Sequence, residues 1–155
     1  MQELFNPSRL RMVEDKNGAI SYGWMAPRVL YARFVGALSA ELGSTFVRDL
    51  EALVKDVTTV AYFGDASALT QYDLSARLRF QRLIEADRSK FAALVFLTWA
   101  EGISPAARNF AGKFRDCVRI LADPDEFERG LTSLVPLPSV FAPSPAPLWH
   151  LPAPR

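Results

Sequence analysis

The spacing of apolar and polar residues over the first 57 positions predicts a hairpin, a third strand and a helix. Residues 10–14 and 19–25 are strand-like segments on either side of Asp15-Lys16-Asn17-Gly18, and Asn-Gly is a strong hairpin signal. Residues 28–38 are rich in β-branched and aromatic side chains, which favours a strand. Apolar residues three or four positions apart predict a helix over 39–57. They are Leu42, Phe46, Leu50, Leu53 and Val57.

Strands and helices alternate along the next part of the chain, which predicts parallel strands joined by helical crossovers. A buried strand is predicted over 57–63, closed by a turn at Gly64-Asp65, and a helix is predicted over 73–88. Residues 91–99 form an uninterrupted apolar run, which is typical of a strand covered on both faces. Three shorter elements follow: a helix from Ser104-Pro105, a strand over 117–121 and a helix from Asp123-Pro124.

The fold class that follows is α/β. It consists of a mixed sheet of four to six strands, opened by the N-terminal hairpin and continued by βαβαβα crossovers, with helices packed on it. We expect residues 1–135 to form a single domain. Seven of the 11 prolines fall in 136–155, which excludes regular helix and central strand there. Because this segment also carries Phe141 and Trp149, we interpret it as an arm that packs on its own domain or on a second copy in a homodimer, with plain disorder as the alternative.

The charge, the length of the apolar runs and the cysteine count argue against several classes of protein. The net charge is +1, so no overall field attracts nucleic acid or an anionic membrane. The longest apolar run, 91–100, is too short to span a bilayer, and the N-terminus has no secretory apolar segment. Cys117 is the only cysteine, which suits a reducing compartment. We therefore expect a cytoplasmic protein.

Catalytic and metal-binding motifs are not evident. His150 is the only histidine and lies in the proline-rich segment, which argues against a Ser-His-Asp triad. One histidine and one cysteine do not supply the four ligands of a zinc site. The sequence contains neither a G-x-G-x-x-G nor a Walker A motif. We expect neither an enzyme nor a cofactor.

The candidate site residues are Asp65, Asp73 and Ser75. Asp73 precedes the predicted helix, where an aspartate accepts hydrogen bonds from unpaired N–H groups. Ser75 lies in the first helical turn, where the helix dipole favours a phosphate. Asp65 ends the predicted strand at the carboxyl edge of the sheet, where open α/β sheets bind ligands. The three residues are therefore hypothesised to form one polar patch, although turn and cap roles explain the two aspartates more simply.

The element order and four short segments resemble a STAS domain, the fold of bacterial anti-sigma-factor antagonists and of sulfate-transporter tails. Residues 34–38 resemble the opening strand with its glycine, and residues 60–65 resemble the next buried strand. Residues 73–76 resemble the family's Asp-Ser-Ser-Gly turn, in which the second serine is phosphorylated by a partner kinase. Residues 103–106 resemble the start of the third helix. Leu74 stands in place of the first serine and Ala76 in place of the glycine.

The resemblance implies a non-enzymatic regulatory domain that binds a protein, a kinase or another regulator, through Asp73 and the helix that follows. Ser75 would then be a phosphorylation switch. The element order fits the divergent STAS/SEC14-like group equally well. That alternative implies a small-molecule or lipid-binding module with an apolar cleft between helices and sheet.

Overall fold

The computed structural model describes residues 10–98 and 105–135 as one sheet with helices on both faces. Six strands and four α-helices alternate along most of this length. The strands are β1 (Arg11–Glu14), β2 (Gly18–Ala26), β3 (Val29–Leu38), β4 (Val60–Tyr72), β5 (Phe91–Leu97) and β6 (Val118–Leu121). The helices are α1 (Ala40–Val54), α2 (Leu74–Ala86), α3 (Pro105–Lys113) and α4 (Pro124–Leu134), with a 3₁₀ turn at Arg88–Lys90.

The sheet is mixed and its strands lie in sequence order from β1 to β6. The first three strands are antiparallel, and β3 to β6 pair in parallel through helical crossovers. The Asp15 carboxylate holds the first turn by accepting hydrogen bonds from the N–H groups of Asn17 (2.8 Å) and Gly18 (3.0 Å). The predicted α/β class, hairpin and crossovers are confirmed.

The glycine in β3 allows two chain segments to approach closely. Gly36 has a φ of 80°, and the register with β4 shifts directly after it. A Cβ at Gly36 would lie 2.4 Å from the carbonyl oxygen of Asn17, so any side chain would clash with the first hairpin turn. This is the close backbone contact that β-strand glycines often indicate.

Strand β4 is longer than the sequence predicts. The prediction ends the strand at Phe63 with a turn at Gly64-Asp65, but β4 runs on to Tyr72 and pairs with β3 as far as Leu38. The extra residues are accommodated by two register shifts against β3. The small residues of the segment suit a strand that lies half-buried beneath a helix layer, and the expected turn at Asp65 is wrong.

The two faces of the sheet carry separate cores. One core lies beneath α1, α2 and α3, and its fully covered side chains include Tyr22, Tyr62 and Leu94. The second core lies beneath α4 and includes Phe63, Phe127 and Leu131. Strand β5 pairs with β4 and β6 and contributes to both cores, as predicted for a strand with both faces covered. The predicted arm at 136–155, Ser104 and Trp99 lie outside the described residues.

Candidate functional site

Helix α2 begins at an aspartate cap, as predicted. Asp73 has extended backbone geometry (φ −74°, ψ 139°), and its carboxylate accepts a hydrogen bond of 2.8 Å from the N–H of Ser75. The N–H of Asp73 donates to the carbonyl of Leu38 (2.8 Å), which joins the helix start to the end of β3. The hydrogen bonds from Ser75 lower the pKa of Asp73, so the cap is ionised at neutral pH.

The Ser75 hydroxyl is exposed and donates to the same carboxylate oxygen of Asp73. A phosphoryl group on Ser75 would replace this hydrogen bond with two like charges side by side. The cap would then have to open, even though the helix dipole favours a phosphate at this position. The geometry is therefore that of an exposed turn in which one carboxylate oxygen of Asp73 accepts from both the N–H and the hydroxyl of Ser75.

Apolar side chains stand on either side of Asp73 on the surface. Leu74 is 58% exposed and Tyr72 is 39% exposed. Ala76 points inward and is buried against α1. Its methyl group fills the space opposite Gly43, where an added Cβ would lie 2.4 Å away. Ala76 therefore packs two helices together and leaves the approach to Ser75 open.

Asp65 lies apart from the other two candidates. Its carboxylate accepts hydrogen bonds from the N–H (2.9 Å) and hydroxyl (2.6 Å) of Ser67 and pairs with Arg33 at 3.6 Å. Strand alternation places Asp65 on the α4 face with Phe63, whereas α2 covers the opposite face. About five residues of β3 separate the two positions, on the order of 17 Å. The structure therefore does not form the three-residue patch, and Asp65 stabilises a strand irregularity.

A cavity of about 470 Å³ lies between the sheet and the first two helices. Its walls are mainly aromatic and aliphatic, and exposed residues near the end of β4 form part of its rim. Its floor includes Tyr62, which is fully covered, and Arg77 of α2 also lines it. The ring-bearing walls are Phe34, Phe46, Phe80, Phe96 and Phe110, together with Tyr62 and Tyr72.

The resemblance to the STAS/SEC14-like group implied an apolar cleft between helices and sheet, but sequence reasoning did not assign Tyr62 and Arg77 to it. The phenylalanines have helix or strand spacing, which indicates a filled core as readily as a ligand pocket. Arg77 sits among other arginines of α2 and resembles part of a solvated face. The one available signal was the set of phenylalanines on facing elements beside small residues such as Gly43, Ala66 and Ala76, which leave space between the rings.

Within residues 10–98 and 105–135, no three histidine, cysteine, aspartate or glutamate side chains come together in a way that suits a metal ion. None of the helices in these ranges is long and apolar enough to cross a membrane.

Comparison with known proteins identifies the fold. No protein-family model and no curated protein matches the chain. The structure is similar to that of an uncharacterized protein of the DUF3478 family with a SpoIIAA-like fold from Shewanella loihica PV-4. That match has a TM-score of 0.56 and 15% identity over 79% of this chain and 91% of the other. The anti-sigma factor antagonist SpoIIAA in its unphosphorylated form matches at a TM-score of 0.48 and 16% identity, over 69% and 91%.

The chain therefore has a SpoIIAA-like fold, which confirms the STAS-like fold that the element order indicated. At 15% identity the similarity concerns the fold alone. Any role for Ser75 and its neighbours is argued from the geometry of this chain.

Proposed function

We propose that the domain is a non-enzymatic, cytoplasmic regulatory module that binds a protein partner through the first turn of α2, with Ser75 as its phosphorylation switch. The observation that carries this proposal is the exposure of Leu74 directly beside the Ser75 hydroxyl. A large apolar side chain that is 58% exposed, next to a modifiable hydroxyl, is the kind of anchor that protein interfaces bury.

The cap geometry supports the switch. Asp73 and Ser75 share one hydrogen-bonded turn, and Asp73 carries the negative charge that a phosphate would meet. Phosphorylation would rearrange the turn that presents Leu74 and so release a partner seated there. A SpoIIAA-like fold supports a regulatory role of this class. The partner would be a kinase or another signalling regulator.

Site-specific crosslinking tests the docking surface. A photoreactive phenylalanine analogue at position 74 should form an adduct with one partner protein in the native cell. The same analogue at Leu134, which is 46% exposed on α4, is the matched control and should form none. Equal adducts at both positions, or none at position 74, would refute the docking surface.

Phosphorylation is tested separately on the native protein. Mass spectrometry should find phosphate on Ser75, and Ser75→Asp should remove the adduct at position 74 while Ser75→Ala retains it. If Ser75→Asp forms the adduct as well as the wild type does, phosphorylation of Ser75 does not control binding, even if a partner does bind at Leu74.

A further inference from the structure

The cavity beneath α1 and α2 has the size and walls of a ligand site. Its volume of about 470 Å³ lies within the range of small-molecule pockets, about 300–1,000 Å³. Phe80 lies against Tyr62 and Phe110, with ring centroids 5.6 Å and 6.3 Å apart, so the aromatic walls form one connected surface. Such a surface is complementary to an apolar body.

The hydroxyl of Tyr62 is a buried polar group without a partner among the described residues. The side chain is fully covered, and its oxygen forms no hydrogen bond in the structure. Gly64 lies beside it on the same face, and a Cβ there would lie 3.1 Å from the hydroxyl oxygen. Burial raises the pKa of Tyr62, so the group is a neutral donor at physiological pH. A buried hydroxyl without a partner is costly, and because Tyr62 lines this cavity, an acceptor that reached the hydroxyl from the cavity would remove that cost.

Arg77 gives the cavity its charge. Its Nε is buried without a hydrogen-bond partner, and among the described residues no carboxylate pairs with its guanidinium. The described lining contains no aspartate or glutamate, so Arg77 is its one ionised side chain. A guanidinium on the wall of a low-dielectric pocket attracts an anion and can bind a carboxylate through two hydrogen bonds.

We propose that this cavity binds a small amphipathic carboxylate, with its head on Arg77 and Tyr62 and its apolar body against the phenylalanines. The site uses the interior of the helix layer, whereas the proposed docking surface uses exposed Leu74. The ligand site and the docking surface can therefore be tested independently of each other. The proposal also makes specific the small-molecule alternative that the sequence left open.

Calorimetric titration of the full chain with octanoate and 1-octanol tests the proposal. The two probes have the same chain length and differ in the charge of the head. Octanoate should bind one-to-one and about tenfold or more tightly than 1-octanol, because only the carboxylate can form charge-assisted hydrogen bonds. Equal affinities, or no binding of octanoate, would overturn the proposal.

Two arginine variants of α2 locate the head group. Arg77→Met keeps a long helix-compatible stem and should weaken octanoate about tenfold or more while changing 1-octanol by about twofold at most. Arg79→Met is the matched control, since Arg79 is exposed outside the cavity, and should leave both affinities unchanged. An equal loss of octanoate affinity in both variants would overturn the assignment. If Arg77→Met fails to fold, the comparison of the two probes on the wild type still decides the matter.

Discussion

The two faces of the sheet differ in how completely they are packed. On the α4 face, Asp65 is held by Ser67 and Arg33, and Phe127 and Leu131 are almost fully covered. On the opposite face, three helices cover the sheet but leave a cavity of about 470 Å³. There the hydroxyl of Tyr62 has no partner among the described residues.

This difference suggests that one face of the sheet serves stability and the other serves binding. Residues that are packed and paired have their interactions within the fold, whereas a buried donor without a partner is available to a group from outside it. The α4 face is therefore expected to respond to mutation through stability alone. The face beneath α1 and α2 is expected to respond through binding, and the predictions that follow test this contrast.

The largest difference should come from two phenylalanines on opposite faces. Phe127 is 2% exposed and lies edge-on to Phe63, so Phe127→Ala should lower the free energy of unfolding by about 3–5 kcal/mol. Phe80 is only partly buried and lines the cavity, so Phe80→Ala should cost roughly half as much because less apolar surface is buried at that position. Urea unfolding measures both. Equal losses would show that the cavity face is packed as tightly as the other.

Glu128 of α4 should make stability depend on pH. Burial, and secondarily Asp125, raises the pKa of Glu128 from 4.5 to about 8 in the fold. Between these values the folded state holds the proton more tightly, so the free energy of unfolding falls as pH rises from 4.5 to 8. Glu128→Gln removes this titration. The stability of the variant relative to the wild type should therefore rise by about 2 kcal/mol between pH 4.5 and pH 8, which is less than the full difference in pKa would give.

The control for this pH effect is on the same helix. Glu126 is partly exposed and pairs with Arg119 at 3.3 Å, so Glu126→Gln should change stability by about 1 kcal/mol or less at every pH. Thermal melts at pH 5 and pH 8 measure both variants. A Glu128→Gln difference that is the same at both pH values would contradict the raised pKa.

Two buried tyrosines on the cavity side give the next test. Tyr22 donates its hydroxyl hydrogen bond to Asp49, so Tyr22→Phe should lower the free energy of unfolding by about 1–2 kcal/mol. Tyr62 has no such partner, so Tyr62→Phe should leave the stability unchanged or raise it by about 1 kcal/mol. A loss for Tyr62→Phe as large as that for Tyr22→Phe would mean that its hydroxyl is satisfied within the fold.

The smallest effect on stability is expected at the helix caps. Asp73 caps α2 and Asp123 caps α4, and each carboxylate accepts from the N–H two residues on. Either change to Ala removes one capping hydrogen bond and should lower the midpoint of chemical denaturation slightly and to a similar extent. Only Asp73→Ala should also weaken crosslinking from position 74. The same loss of crosslinking from both variants would argue against a special role for the α2 turn. Clearly different losses of stability would mean that the two caps are not matched.

Most of the fold could be predicted from local signals. Asn17-Gly18 gave the hairpin, and Asp73 and Asp123-Pro124 marked helix starts that the structure confirms. The error in β4 arose because Gly64-Asp65 carries turn chemistry that depends on its surroundings. Arg33 on the neighbouring strand and Ser67 satisfy Asp65 within the strand, and neither contact is visible along the sequence.

The candidate site was only partly predictable. The cap and exposure of Ser75 follow from helix-start rules, and both are found in the structure. The cavity depends on how closely α1 and α2 approach at Gly43 and Ala76 and on where Tyr62 points, which are properties of three-dimensional packing. Spacing identifies which residues face inward, but it does not show whether the space between them is filled.

The most direct test of the contrast between the two faces is a backbone amide NMR titration of the full chain with octanoate. We predict saturable shifts that cluster around the cavity, at residues such as Gly43, Ala66 and Arg77. The amides of Phe127 and Leu131 on α4 should stay within the noise. Shifts centred on α4, or none that saturate, would contradict the proposal that the cavity beneath α1 and α2 binds a ligand.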